Sequence, residues 1–143
     1  MTRDEWLVLA IAAADEDGIS PIQLQQSVFL FSLKREKDLG PDFYDFEPHN
    51  YGSAAKEAEG PFSQTLYADL DALVADGLVS KSWQPGTPWS VFRPTERAND
   101  WIKELRREAQ KDALSYLEEA VAWVRQLSVY ESVHKTASIR VIG

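Results

Sequence analysis

Cysteine is absent from the 143 residues. That removes disulfides, thiolate zinc sites and cysteine nucleophiles together, and it fits a reducing compartment such as the cytoplasm. No apolar run approaches the roughly 20 residues that cross a bilayer. The run inside MTRDEWLVLAIAAADEDG has acids on both sides, whereas a secretory leader starts basic and ends at a small-residue cleavage site. These absences predict a cytoplasmic chain with no membrane span. Catalytic sets are also missing. The two histidines, His49 and His134, are far apart in the chain, and there is no phosphate loop, dinucleotide fingerprint, HExxH motif or nucleophile elbow. A non-enzyme without cofactor or metal is expected.

Two stretches invite a metal reading, and neither holds. Asp45, Glu47 and His49 in DFEPH would share one side of a strand, but Pro48 disturbs the pleat. A single strand rarely supplies three ligands, so a solvated edge is expected. DEDG resembles part of a calcium loop. With Gly18 at its sixth position, Ala13 and Leu24 would fall where oxygen ligands belong.

Positive charge is scarce, and scarcest early. The net charge is −8, yet residues 1–80 hold five basic residues against fifteen acids, a balance of −10. Residues 81–143 hold the other ten basic residues and eight acids, a balance of +2. A phosphate-facing surface therefore belongs to the second half, because an acidic first half repels a polyanion.

The chain is long enough for one compact domain with its own core. Thr2 and Glu5 have the spacing of a capping box, and Trp6, Leu7, Ala10, Ile11 and Ala14 follow at helical intervals. Gly18 suits a left-handed stop. Ser20, Pro21 and Gln23 open a second helix to about Lys37. Its apolar residues cover more than one stripe, which predicts a central position. GPDFYDFEPHNYG reads as an extended segment or edge strand. GPFSQ then opens a third helix, with Phe62, Leu66, Leu70, Leu73 and Val74 as its buried stripe and Gly77 as its stop. LVSKSWQPGTPWSVFRPT reads as strand, turn, strand. From about Glu96 a long helix runs to near Ser128, with a bend at Gln110–Asp112 as the alternative.

The order of helices and hairpin is that of a winged helix-turn-helix. The stretches SPIQLQQSVFLF, YDFEPHNYG, GPFSQTLYADLDALVADGLV and FRPTERANDW carry a closer likeness. The chain resembles a group of prokaryotic winged-helix proteins whose members are regulator-like, antitoxin-like or associated with phage and mobile elements. In that group an I-x-L-Q helix start, a Y-G-P-F/Y-S segment and a D-L-x-x-L-x-x-x-G-L helix end follow in order. The likeness spans most of the chain and implies the fold. Two departures stand out. Tyr51-Gly52 and Pro61-Phe62-Ser63 are separated here by SAAKEAEG, and Ala98 stands where the group has glycine. Small and charged residues dominate the insertion, so Ser53–Glu59 is expected to be mobile and dispensable for folding.

The third helix has the layout of a groove reader. Ser63, Gln64 and Thr65 stand at its start, where helix termini meet anions. Yet Asp69, Asp71 and Asp76 follow, with no basic residue between Gly60 and Val79. A structural helix with an acidic face is the competing reading. Lys81, Trp83, Trp89 and Arg93 decorate the hairpin. Either an indole is exposed there for a partner, or both tryptophans fold back as core. On the last helix the cations of residues 97–125 either form a basic stripe or pair with neighbouring glutamates. Leu117, Val121, Val124 and Leu127 make an apolar stripe that either pairs two copies or packs on the first two helices.

The expectation is a mostly α chain with a small β-hairpin (α+β), a winged-helix core over residues 1–95 and a C-terminal helical extension over 96–143. The functional expectation is a non-catalytic, regulator-like or antitoxin-like binding module that meets a protein partner and forms a homodimer. The alternative is a dimeric DNA-binding transcriptional regulator that uses the cations of the wing and the C-terminal helix.

Overall fold

The computed structural model describes residues 1–50, 59–83, 85, 86 and 89–127. Helix α1 is Arg3–Ala13, α2 is Pro21–Lys34 and a short α3 is Glu36–Leu39. Strands β1 (Glu47–Asn50) and β2 (Glu59–Phe62) pair antiparallel and lead into α4, Gln64–Ala75. Strands β3 (Val79–Trp83) and β4 (Ser90–Pro94) form a second antiparallel pair, followed by α5 (Asn99–Glu108) and α6 (Lys111–Arg125). The described fold is mostly helical with two small two-stranded sheets. No helix among the described residues is long and apolar enough to cross a membrane.

Local chemistry sets the helix boundaries. Glu5 Oε1 accepts the Thr2 N–H at 2.7 Å. Ser20 Oγ accepts the Gln23 N–H at 3.2 Å, and Gln23 Oε1 accepts the Ser20 N–H at 3.1 Å. Pro21 takes the first helical position, where a missing N–H costs nothing. Gly18 has φ 76°, and a Cβ there would lie 3.1 Å from both Arg93 Cγ and the Phe92 carbonyl oxygen. Only glycine combines that conformation with that approach.

Every residue of α1 from Trp6 to Ala12 is buried. The helical spacing marked one stripe, but α1 is enclosed by α2, α4, α5, α6 and β4, so Val8, Leu9 and Ala12 are interior too. From Leu24 to Phe31, α2 is also buried. Ile19, between the two helices, exchanges backbone hydrogen bonds with Phe92 at 3.1 and 2.8 Å. Strand β4 thus lies between β3 and Ile19.

Two expectations change, and one open alternative is decided. Gly60-Pro61-Phe62 belongs to β2 rather than to a helix start. Pro48 stands opposite Pro61 in the register, so two residues without an N–H share one rung. Phe62 is half-buried and stacks outside the helix stripe. Most of the Ser53–Glu59 insertion lies outside the described residues, although Glu59 is in β2. Finally, the C-terminal helix is two helices. Ala109 (ψ 141°) and Gln110 (ψ 130°) are extended. The Gln110 side chain accepts the Ala113 N–H at 3.0 Å and also bonds Arg35. No glycine or proline forces this break. It turns α6 onto both α1 and α2 while α5 stays on α1.

Residues beyond Thr95 share the main core, which runs without interruption from Trp6 to Val121. Leu117, Val121 and Val124 are fully buried inside the chain, and Leu127 is half-buried. The stripe that suggested pairing with a second copy is spent on the first two helices. The tail SIRVIG, residues 138–143, lies outside the described residues.

Two neighbouring glutamines on α2 are both fully buried. Gln25 Nε2 donates to the Ser63 carbonyl at 2.9 Å, and Gln25 Oε1 accepts the Ser63 N–H at 2.8 Å. The Gln26 amide has no hydrogen-bond partner among the described residues. An unmet buried polar group costs about 1–3 kcal/mol. Opposite outcomes are therefore expected in urea unfolding. Gln25→Leu strands the Ser63 N–H, removes one of the two donors to the Ser63 carbonyl and lowers stability by about 2 kcal/mol, whereas Gln26→Leu raises it by about 1 kcal/mol.

Val121→Glu places an unpaired charge in the core and is expected to cost about 3–5 kcal/mol. The urea midpoint should fall accordingly. A variant that keeps wild-type stability and changes only its sedimentation would place Val121 at a contact between copies.

Candidate functional site

Helix α4 and its two flanking ribbons hold most of the side chains singled out by the sequence. β2 delivers the chain to Ser63, whose Oγ caps α4 by accepting the Leu66 N–H at 3.3 Å. Ser63 is only 2% exposed, because Gln25 holds its backbone from below. It therefore acts in folding and does not reach a partner. Gln64 and Thr65 are exposed.

The inner face of α4 is Leu66, Leu70 and Leu73. Its outer face is Gln64, Thr65, Ala68, Asp71, Ala72, Ala75 and Asp76. Two carboxylates and no cation thus face solvent. The third aspartate has an internal role. Asp69 Oδ2 accepts the Tyr44 hydroxyl at 2.6 Å and Arg3 Nε at 2.9 Å. The Arg3 guanidinium also lies 5.5 Å from the Tyr44 ring centroid. These contacts tie α1, the segment before β1 and α4 together. Burial first, and then the bond to Asp69, push the Tyr44 phenol far above its ordinary pKa.

On the hairpin the predicted residues separate. Arg93 Nε donates to the Glu16 carbonyl at 2.7 Å and an Arg93 Nη to the Asp17 carbonyl at 3.2 Å. Its guanidinium closes the turn after α1. Trp89 is half-buried. Lys81 is exposed, and Trp83 is 66% exposed. Two residues apart on one strand, they project from the same face. Of the two readings for the indoles, exposure holds for Trp83.

The cations of the C-terminal helices are balanced in place. Residues 96–112 carry five basic residues and five acids. Arg107 pairs with Glu104 at 2.7 Å. Arg97 lies at the C-terminal end of α4, with one Nη 3.3 Å from where a Gly77 Cβ would stand. A cation there meets the negative end of the helix dipole.

One feature was not read from the sequence. The His49 ring stacks on Phe62 at 4.6 Å, and Phe62 lies 5.3 Å from Tyr67 on α4. This aromatic series carries the β1–β2 ribbon onto the helix. Its sequence signal lies around Pro48 and Pro61, where composition alone reads as a solvated or metal-binding edge and as a helix start.

The Tyr44 clasp has a pH signature. An ordinary tyrosine ionises near pH 10, so the unfolded chain gains from ionising Tyr44 while the folded chain does not. Stability from this group is full below about pH 10 and falls as pH rises above it. Tyr44→Phe is expected to cost about 1.5–3 kcal/mol near neutrality. The gap to wild type should narrow above about pH 10 in urea titrations; a constant gap would mean that the hydroxyl is not held.

What the arrangement offers is a small-residue, acidic helix face beside a hairpin with an exposed indole and a lysine. Comparison with known protein families and with curated proteins finds no match to either.

Proposed function

We propose that the chain is a winged-helix binding module, regulator-like or antitoxin-like, that works through protein contacts. The solvent face of α4 together with Lys81 and Trp83 forms the contact surface. Support for the scaffold comes from the order of α1, α2, α4 and the β3–β4 hairpin, with Ile19 bridging β4 between the first two helices. On that scaffold α4 occupies the position of the groove-reading helix.

One observation carries the choice of partner. The outward face of α4 has Asp71 and Asp76 and no lysine or arginine. Phosphate contacts supply most of the affinity of a nucleic-acid binder, and carboxylates at that position repel them. Two of the cations that a DNA-binding reading would recruit have partners within the chain: Arg93 bonds backbone carbonyls and Arg107 pairs with Glu104. An exposed indole beside alanines suits a protein surface, since tryptophan is prominent among the residues that dominate interface energies.

The test pairs two measurements. Labelled random duplex at about 150 mM salt is expected to bind no tighter than the ordinary non-specific range of about 10⁻⁴–10⁻⁶ M. Affinity capture from native lysate should retain a protein in the presence of nuclease, and Trp83→Ala with Ala72→Arg should lose it. Tight duplex binding, or capture abolished by nuclease, would instead support the dimeric DNA-binding regulator.

A further inference from the structure

A second surface lies away from the outer face of α4 and the β3–β4 hairpin. Between the end of α2 and the segment preceding β1 runs a groove of about 330 Å³. Phe29, Leu33, Phe43 and Phe46 line it, together with Glu36 and Asp45. Phe29 and Phe46 meet edge to face at 5.4 Å, and Phe43 meets Tyr44 the same way at 5.1 Å. The Tyr44 hydroxyl is engaged by Asp69. Leu33 is 42% exposed.

Charge decides what suits this groove. Glu36 and Asp45 are exposed. They are the charged residues that line the groove. Aromatic faces attract cations, and the carboxylates add to that attraction. The same carboxylates repel nucleic acid and acidic peptides. An occupant complementary to both features is apolar and positively charged at adjacent positions.

We propose that this groove docks a short basic amphipathic segment of a partner protein. An apolar side chain of that segment seats among Phe29, Leu33, Phe43 and Phe46, and a neighbouring lysine or arginine meets Glu36 and Asp45. The groove shares no residue with the surface formed by α4 and the hairpin, and it requires nothing of that surface.

The test uses the full chain and a fluorescein-labelled peptide of alternating leucine and lysine, read by anisotropy at about 150 mM salt, where distant surface charges are screened. The peptide is expected to bind, and a matched leucine–glutamate peptide is not. Glu36→Lys with Asp45→Lys should weaken binding by about tenfold or more, because complementary charge becomes repulsion. Leu33→Ser should weaken it as well. All three substituted positions are exposed, and far-UV circular dichroism checks that each variant folds. Asp71→Lys with Asp76→Lys makes the same charge change on α4 and should leave binding unaltered. Equal loss from both double variants would mean attraction to net charge alone and would overturn the proposal. So would unchanged binding by the groove variants, binding of the glutamate peptide, or no binding of the lysine peptide. Trp83→Ala should not affect this assay, so its outcome is separable from that of the capture experiment.

Discussion

A single buried amide holds the two halves of the fold in register. The Gln25 side chain pairs with both backbone groups of Ser63, at 2.8 and 2.9 Å, in a position where neither residue reaches solvent. Ser63 is where β2 ends and α4 begins, so its N–H has left the strand ladder, while its carbonyl already accepts the Tyr67 N–H at 3.4 Å. Without Gln25 the N–H would be stranded in the interior. Gln25 supplies both hydrogen bonds from α2. Ser63 Oγ is then free to cap Leu66, and the inner face of α4 drops onto α1. The orientation of the outward face of α4 follows from this contact.

Ionic groups secure the fold around that point. Asp69 gathers Tyr44 and Arg3. Arg93 closes the carbonyls of Glu16 and Asp17, and Arg125 meets Asp17 at 3.3 Å. Arg35 bonds Gln110 where α5 gives way to α6. Each of these side chains joins segments distant in sequence. They account for much of the charge that would otherwise count toward a ligand surface. Among the described residues, the exposed side chains on α4 and the hairpin include Gln64, Thr65, Asp71, Asp76, Lys81 and Trp83.

The caps of α1 and α2, the stop at Gly77 and the β3–β4 hairpin were legible because each depends on neighbours within a few residues. The capping chemistry of Thr2, Ser20 and Gln23 needs no tertiary partner. The break at Ala109–Gln110 was less legible. EAQKDA is good helix-forming sequence, and the chain bends there because Ala109 is buried and Gln110 is engaged by Arg35 and Ala113. Gly60-Pro61-Phe62 carries helix-start composition, yet it pairs with β1 once Pro48 stands opposite Pro61. Propensity yields in such places because pairing and burial act over longer range.

The sequence by itself determined the mostly helical class, the starts of α1 and α2, the β3–β4 hairpin and the absence of cations from α4, since composition and spacing carry these directly. Tertiary structure decided which polar residues face inward. Ser63 is buried and Arg93 bonds two backbone carbonyls, whereas Trp83 looked as suited to the core as to the surface and is exposed. The stripe of Leu117, Val121 and Val124 found its cover on α1 and α2. A residue type records what a side chain is able to contact. Only the packed chain, which must satisfy every buried hydrogen-bonding group and cover every apolar face at once, determines which contact it makes.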